Sequence, residues 1–273
     1  MRIAAVGEVT EDVYLGSDES VLSRELGGIS LNFARAAAFS GAEAHLFAAV
    51  GDDDSAARIR SALGATTVHA HLRTLHGASA VQRIKFASDG ERIFDGFRAG
   101  VMHAYALTAE DFDGLRATDL VALPASQDTE NFFYETLTWC KGHHIPAAAD
   151  FSVDSPLGRA NEPAEWVSPF ASMLTLAFVG GRPEHEEALR SLARSTDLLI
   201  VLTLGAAGSV AFRGEESWRA PAEPCAVVDT TGCGDAFQAA FSVAYLEGQS
   251  ISECLSRGAR LAARVAAKRG AAP

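Results

Sequence analysis

The stretch Asp229-Thr230-Thr231-Gly232-Cys233-Gly234-Asp235-Ala236-Phe237 joins two kinds of pattern. Ahead of it, Ala226–Val228 reads as a short strand. Behind it, Phe237, Ala240, Phe241, Ala244 and Tyr245 recur at helical spacing and predict a helix over 232–247 with one apolar stripe. A strand that enters a long helix through a glycine turn is a unit of an α/β fold. The free N–H groups at such a helix start favour an anion, and Gly232 and Gly234 carry no Cβ to hold it off. Asp235 falls in the first turn, where a carboxylate can take a proton from a hydroxyl attacking a phosphate. An N-cap aspartate with a glycine turn is the bland alternative; it leaves the second glycine and the second aspartate unexplained.

Working outward, strand and helix patterns alternate. Strands are expected at 2–8, 43–50, 68–72, 119–123, 146–150, 172–179, 198–203 and 209–212. Helices are expected at 30–40, 55–63, 129–143, 184–194 and 251–269. This is the signature of a mostly parallel sheet covered on both faces. The alternation breaks at 78–87 and 91–97, two strand-like runs joined by the turn Ser88-Asp89-Gly90. Together with 13–16 they predict a small β lid, 11–25 and 73–101, beside a core of 1–10, 26–72 and 102–273.

Length and charge narrow the function. The chain has 273 residues, 35 acids against 23 bases and a formal charge of −12. Such a chain, with no basic run, is a poor ligand for nucleic acid or an anionic membrane. Glu8, Glu11 and Asp12 interrupt any signal-peptide core, and no apolar run is long enough to span a bilayer, so the expected location is the cytoplasm. Cys140, Cys225, Cys233 and Cys254 form no C-x-x-C and read as reduced thiols. The pairs His69/His71 and His143/His144 lack an accompanying acid or thiol set in the sequence and are not expected to hold a metal.

Two further segments carry chemistry. In Gly27-Gly28-Ile29-Ser30-Leu31-Asn32, the glycines precede a helix; Ser30 is the expected N-cap, Gly28 admits a polyol, and the Asn32 amide bonds hydroxyls. Thr203-Leu204-Gly205-Ala206-Ala207-Gly208 lies between two strands and is a candidate nucleotide turn.

These segments, in this order, resemble the two signatures of the ribokinase-like (PfkB) carbohydrate kinases: Gly27–Ala34 followed by Gly51-Asp52-Asp53, and Asp229–Asp235. The resemblance implies a three-layer α/β/α sandwich with a small β lid, and an ATP- and Mg²⁺-dependent kinase. By position, Asp235 matches the catalytic base and Gly232, Cys233 and Gly234 the anion hole. Asp12, Gly28 and Asn32 match sugar ligands, and Thr203, Gly205 and Gly208 the ATP turn. Asp229 and Thr231 match positions that hold a monovalent cation such as K⁺, and the lid matches an element that pairs two copies into a homodimer. Arg83 or Lys85 from the lid is expected to help neutralise the transferring group.

The usual anion-hole Ala is Cys233, and the usual Asn-x-x-Glu that organises Mg²⁺ is replaced by Gly180-Gly181-Arg182-Pro183-Glu184, leaving Glu184 as a candidate. Within the family the chain is most similar to the fructoselysine kinase branch. That similarity rests on Gly100-Val101-Met102, Ala106-Leu107-Thr108, Asp150-Phe151-Ser152, Asp154-Ser155-Pro156-Leu157 and Trp218-Arg219-Ala220-Pro221. It implies a fructosamine phosphorylated at O6, with Glu25, Asp89 or Glu91 as candidate partners for its ammonium. The alternatives are a kinase of a free sugar or nucleoside, or a sugar-binding relative without catalysis. A dinucleotide oxidoreductase is disfavoured, because Gly7-Glu8-Val9-Thr10-Glu11-Asp12 stands where G-x-G-x-x-G belongs.

Overall fold

The computed structural model describes residues 1–86, 92–151 and 163–273. The expected turn Ser88-Asp89-Gly90, Glu91, Ser152 and the stretch Asp154–Leu157 lie outside the described residues.

Apolar side chains alternate between the two faces of a nine-stranded sheet. In β1 (Arg2–Gly7), Ile3 and Ala5 enter one core while Ala4 and Val6 enter the other. The same division runs through β4 (Glu43–Val50), β8 (Leu120–Pro124), β9 (Ala147–Phe151), β10 (Leu176–Gly180) and β11 (Leu199–Thr203). Strands buried on both faces read as continuous apolar runs, as these do. The order is β13-β12-β11-β10-β9-β8-β1-β4-β5, with β5 (His69–Thr74) at one edge. Seven strands run parallel; β12 (Ser209–Arg213) and β13 (Glu216–Ala220) are antiparallel additions at the other edge.

One face carries α1 (Ile29–Phe39), α2 (Asp54–Leu63), α7 (Cys233–Leu246) and α8 (Ile251–Ala266). The opposite face carries α3 (Ala109–Leu115), α4 (Glu130–Gly142), α5 (Pro163–Val167) and α6 (Glu186–Arg194). This is a three-layer α/β/α sandwich. A separate four-stranded sheet has the order β3-β2-β6-β7, from β2 (Thr10–Leu15), β3 (Val21–Gly27), β6 (Val81–Phe86) and β7 (Arg92–Arg98). It is joined to α2 through the buried Glu11 carboxylate, which accepts from Ser55 Oγ at 2.6 Å, from Arg24 at 2.7 Å and from Arg58. Among the described residues, no helix is long and apolar enough to cross a membrane.

Four expectations are corrected. Ala226–Val228 is not a strand: residues 221–229 are irregular, with Val227 and Val228 66% and 57% exposed. Their C-terminal end is instead hooked to α8, where Val228 N–H donates to Ala266 O at 2.8 Å. α7 has no single apolar stripe; every residue from Ala236 to Ala244 is buried, because α1 and α8 flank it on the sheet. Ser30 does not cap α1, whose N-cap is Gly28; the Ser30 hydroxyl donates to Val6 O and accepts from Glu8 N–H. Arg73 and Thr74, expected in the lid, pair with Ala49 and Val50 in the main sheet.

Candidate active site

Ligands of open α/β sheets collect beyond the carboxyl ends of the strands. Here those ends present a row of acids: Glu8 just after β1, Asp128 after β8, and Asp150 in the last turn of β9. Asp12 on β2 and Asp235 in the first turn of α7 complete an open pocket of about 720 Å³. Gln82, Phe94, Gly96 and Phe97 of the second sheet form its other wall. Among the described residues, five carboxylates line this pocket and no lysine or arginine does.

Crowding shows in the titration of these groups. Burial pushes Glu8 up to about 7, and Asp12, Asp128 and Asp150 push the same way. Burial raises Asp235 well above the usual carboxylate range; Asp150 and Glu8 add to this, while Asn32 opposes it. Asn32 Nδ2 donates to Asp235 Oδ2 at 2.9 Å, which leaves Asn32 Oδ1 buried with no hydrogen-bond partner. A buried acceptor left open in this way is suited to a ligand hydroxyl. Asp12 is held by Thr10 Oγ1 at 2.7 Å. The glycines beside it leave room for the protein's own atoms, the Asp12 carboxylate at Gly27 and the backbone at Gly28. A Cβ on Gly27 would lie 2.2 Å from Asp12 Oδ1, and one on Gly28, whose φ is 105°, would lie 2.7 Å from Glu8 O. Gly28 lines the pocket, but its missing side chain makes room for the Glu8–Val9 turn rather than for a ligand.

On the other side of the α7 N-terminus lies a second cleft of about 560 Å³. Thr203, Gly205 and Gly208 form one lip, and Cys233 and Gly234 the other. Its floor is apolar, built from Val227, Phe237, Ala259, Ala262, Ala263 and Ala266, and among the described residues Glu223 is the only charged one lining it. Thr230 lines both spaces. The start of α7 is therefore the partition between them. No side chain caps this helix, so its first amides point out. Cys233 N–H is taken by Thr230 O at 3.2 Å, and the outward donors are Gly234 and Asp235. A Cβ at Gly234 would meet nothing within 4 Å, whereas one at Gly232, whose φ is 75°, would lie 2.4 Å from Ala271 Cβ. Gly232 shapes the turn and Gly234 leaves space over it. Burial pushes the Cys233 thiol up to about 12, with Asp229, Cys225 and Asp235 adding, so it stays protonated.

The structure brings Asp12, Gly28, Asn32 and Asp235 together in one pocket, and Thr203, Gly205, Gly208 and Gly234 in the other. Three expected residues lie elsewhere. Arg83 lines neither space; it pairs with Glu19 at 2.6 Å and Asp95 at 3.2 Å, as Lys85 also does, so its charge is already compensated. Glu184 is 63% exposed, pairs with Arg182 at 3.8 Å and lines neither space, so it does not fit an ion at the reaction centre. Glu25 is exposed and absent from the acidic pocket. Asp229 accepts from Thr231 N–H at 3.0 Å and from Gly270 N–H at 2.7 Å, which braces the glycine turn against the end of the chain. Glu8 and Asp128 went unread in the sequence. Acids at the carboxyl ends of β1 and β8 were the signal available for finding them.

The profile of the pfkB family carbohydrate kinases matches residues 2–273. The chain belongs to that family. This kinase is 30% identical over 277 residues to fructoselysine 6-kinase of Shigella flexneri, covering 98% of each chain. It is 26% identical to a fructosamine kinase of Bacillus subtilis (strain 168), over 99% of this chain and 93% of that one. Its fold matches that of Arabidopsis thaliana ribokinase complexed with ribose and ATP, with a TM-score of 0.81 at 22% identity, covering 100% of this chain and 94% of that one. The kinase is thus a sugar kinase with a ribokinase-like fold, and ATP use comes with the family.

Proposed function

We propose that this kinase transfers the γ-phosphoryl group of ATP to the O6 hydroxyl of a fructosamine such as fructoselysine. The observation that carries the substrate class is the gathering of five carboxylates in one pocket, with no basic residue among the described residues that line it. A neutral sugar leaves those charges in mutual repulsion. A ligand with an ammonium group relieves it, since an opposite charge within about 4–6 Å favours the ionised carboxylate. Relatives named as fructoselysine and fructosamine kinases support the same reading.

In this mechanism the sugar lies in the acidic pocket and the nucleotide in the apolar cleft, one on each side of the α7 N-terminus. Asn32 Oδ1 accepts a hydrogen bond from one sugar hydroxyl and Asp12 orients another. Asp235 takes the O6 proton as O6 bonds to phosphorus and the bond to the ADP oxygen breaks. The Gly234 and Asp235 amides stabilise charge on the phosphoryl oxygens in transit. A raised pKa suits a base, provided it is ionised when the substrate is bound; the substrate ammonium supplies that condition. Mg²⁺ accompanies ATP in this family and neutralises its phosphates, but Glu184 gives it no seat here. The second sheet overhangs the sugar as a lid. Its exposed Leu22, Ile93, Phe94 and Phe97 suit a homodimer formed through it.

The test is an ADP-release assay across fructoselysine, fructose, ribose and adenosine. The highest kcat/KM is expected with fructoselysine. A higher value for a neutral substrate would overturn the amine assignment while leaving the kinase reading intact.

A further inference from the structure

The pair His69/His71, which has no acid partner in the local sequence, acquires one in the fold. β4 and β5 run parallel with His45 opposite His69 and Phe47 opposite His71. Side chains two apart on a strand share a face, so Glu43, His45, His69 and His71 form a patch at the amino ends of two neighbouring strands. One ligand atom from each of Glu43, His45 and His69 lies within 4.8 Å of the other two. His45 Nε2 is already 3.0 Å from Glu43 Oε1, and His45 Nδ1 is 2.9 Å from His71 Nε2. The His45 ring stacks on His69 at 4.9 Å and on His71 at 5.2 Å.

We infer that Glu43, His45 and His69 form a binding site for a borderline divalent transition metal, Zn²⁺ in the first instance, at the β4–β5 edge. The donor set decides the class: two imidazoles and one carboxylate suit Zn²⁺, Ni²⁺, Co²⁺ or Cu²⁺, whereas Mg²⁺ and Ca²⁺ want oxygen alone. Donor atoms of a tetrahedral zinc site stand about 3.3 Å apart, given Zn–N bonds of about 2.0 Å. The Glu43–His45 spacing is near this, and His69, which is exposed, closes the remainder by side-chain rotation. His71 takes the place usual for the outer partner of a ligating imidazole: its Nε2 lies 2.9 Å from His45 Nδ1, so it can accept from Nδ1–H once the ion replaces the proton on His45 Nε2. Arg2 competes for the same Glu43 oxygen, donating to Oε1 at 2.7 Å from Nη2 and 3.1 Å from Nε, and an ion bound there displaces its guanidinium. Because β5 is an edge strand, an ion here pins it to β4. The sugar pocket lies at the carboxyl ends of the strands, so the site is separate from catalysis.

The experiment titrates untagged, chelator-treated protein with ZnCl₂ by calorimetry and by competition with a chromophoric chelator. The expected result is one Zn²⁺ per chain, weakened at least about tenfold by His69→Gln and, separately, by Glu43→Gln. Both residues are exposed, so both variants should fold, and kinase turnover should be unchanged in each. With Co²⁺ in place of Zn²⁺, tetrahedral d–d absorption is expected in the wild type and its loss in both variants. No saturable binding by the wild type, or binding that survives either substitution, overturns the proposal.

Discussion

The two spaces on either side of the α7 N-terminus are opposites in chemistry. The pocket proposed for the sugar gathers Glu8, Asp12, Asp128, Asp150 and Asp235; the cleft proposed for the nucleotide is floored by alanines, Val227 and Phe237, with one charged residue among the described residues that line it. The contrast follows from what each strand end can carry. The acids of that pocket arrive from β2 and the loop after β1, from the loop after β8, from β9 and from the start of α7, four regions spread along the chain. The nucleotide side is built from the contiguous run 203–266, in which small residues leave a flat slot. In the proposed mechanism a polyanion is received by backbone amides on an acidic protein, and the acidity is concentrated where a cation would dock.

Four substitutions probe this division, in order of decreasing effect. Asp235→Asn removes the proton acceptor at the partition, so kcat should fall by about 10³-fold or more, with a smaller change in KM. Stability should not fall. The raised pKa of Asp235 means that its ionised form is disfavoured by folding, a penalty that accrues as pH rises from the ordinary carboxylate value to the folded pKa, is complete above it, and is absent with Asn. A variant with near-normal turnover would remove Asp235 from the mechanism.

Gly234→Val fills open space over the helix start. Thermal stability should stay close to wild type while kcat/KM for ATP drops by about 10²-fold, the cost of misplacing a reacting group by about 1 Å. Unchanged ATP kinetics would move the phosphates elsewhere.

Glu8→Gln tests the acidic side. Glu8 titrates near 7 in the free protein; it is neutral below that pH and ionised above it. For a cationic fructosamine, kcat/KM should rise with pH through about 7, and the variant should lose that limb and about tenfold in kcat/KM at alkaline pH. For fructose, neither change is expected. Equal effects on both sugars would make Glu8 a general determinant rather than an ammonium partner.

Gly232→Ala should act on the turn more than on the chemistry. A positive φ and the contact with Ala271 predict a stability loss of about 1–3 kcal/mol by thermal or denaturant unfolding. The residual folded enzyme should keep more activity than Gly234→Val. The reverse ranking would exchange the roles assigned to the two glycines.

The parallel strands and most of the helices were legible in the sequence, because their apolar periods are local. The segment 226–228 was not. Its two valines look like a strand, yet Val227 is exposed because it walls a ligand cleft, and periodicity does not distinguish residues reserved for a ligand from residues reserved for a core. The stripe assigned to α7 failed for a related reason: a helix flanked on the sheet by two others is buried all round, and its sequence shows no polar face to mark the difference. Arg83 was misplaced because its neighbours Glu19 and Asp95 come from other parts of the chain.

By itself the sequence determined the fold class, the family and the helix start that carries Asp235, since glycine, aspartate and apolar spacing act over a few residues. The tertiary structure alone decided which acids share a pocket, which amides at that helix start point outward, and which histidines meet a glutamate. Those are contacts between residues up to 203 positions apart, as in the Asn32–Asp235 bond. Electrostatic coupling and ligand geometry depend on such distances in space, and strand order, not spacing along the chain, sets them.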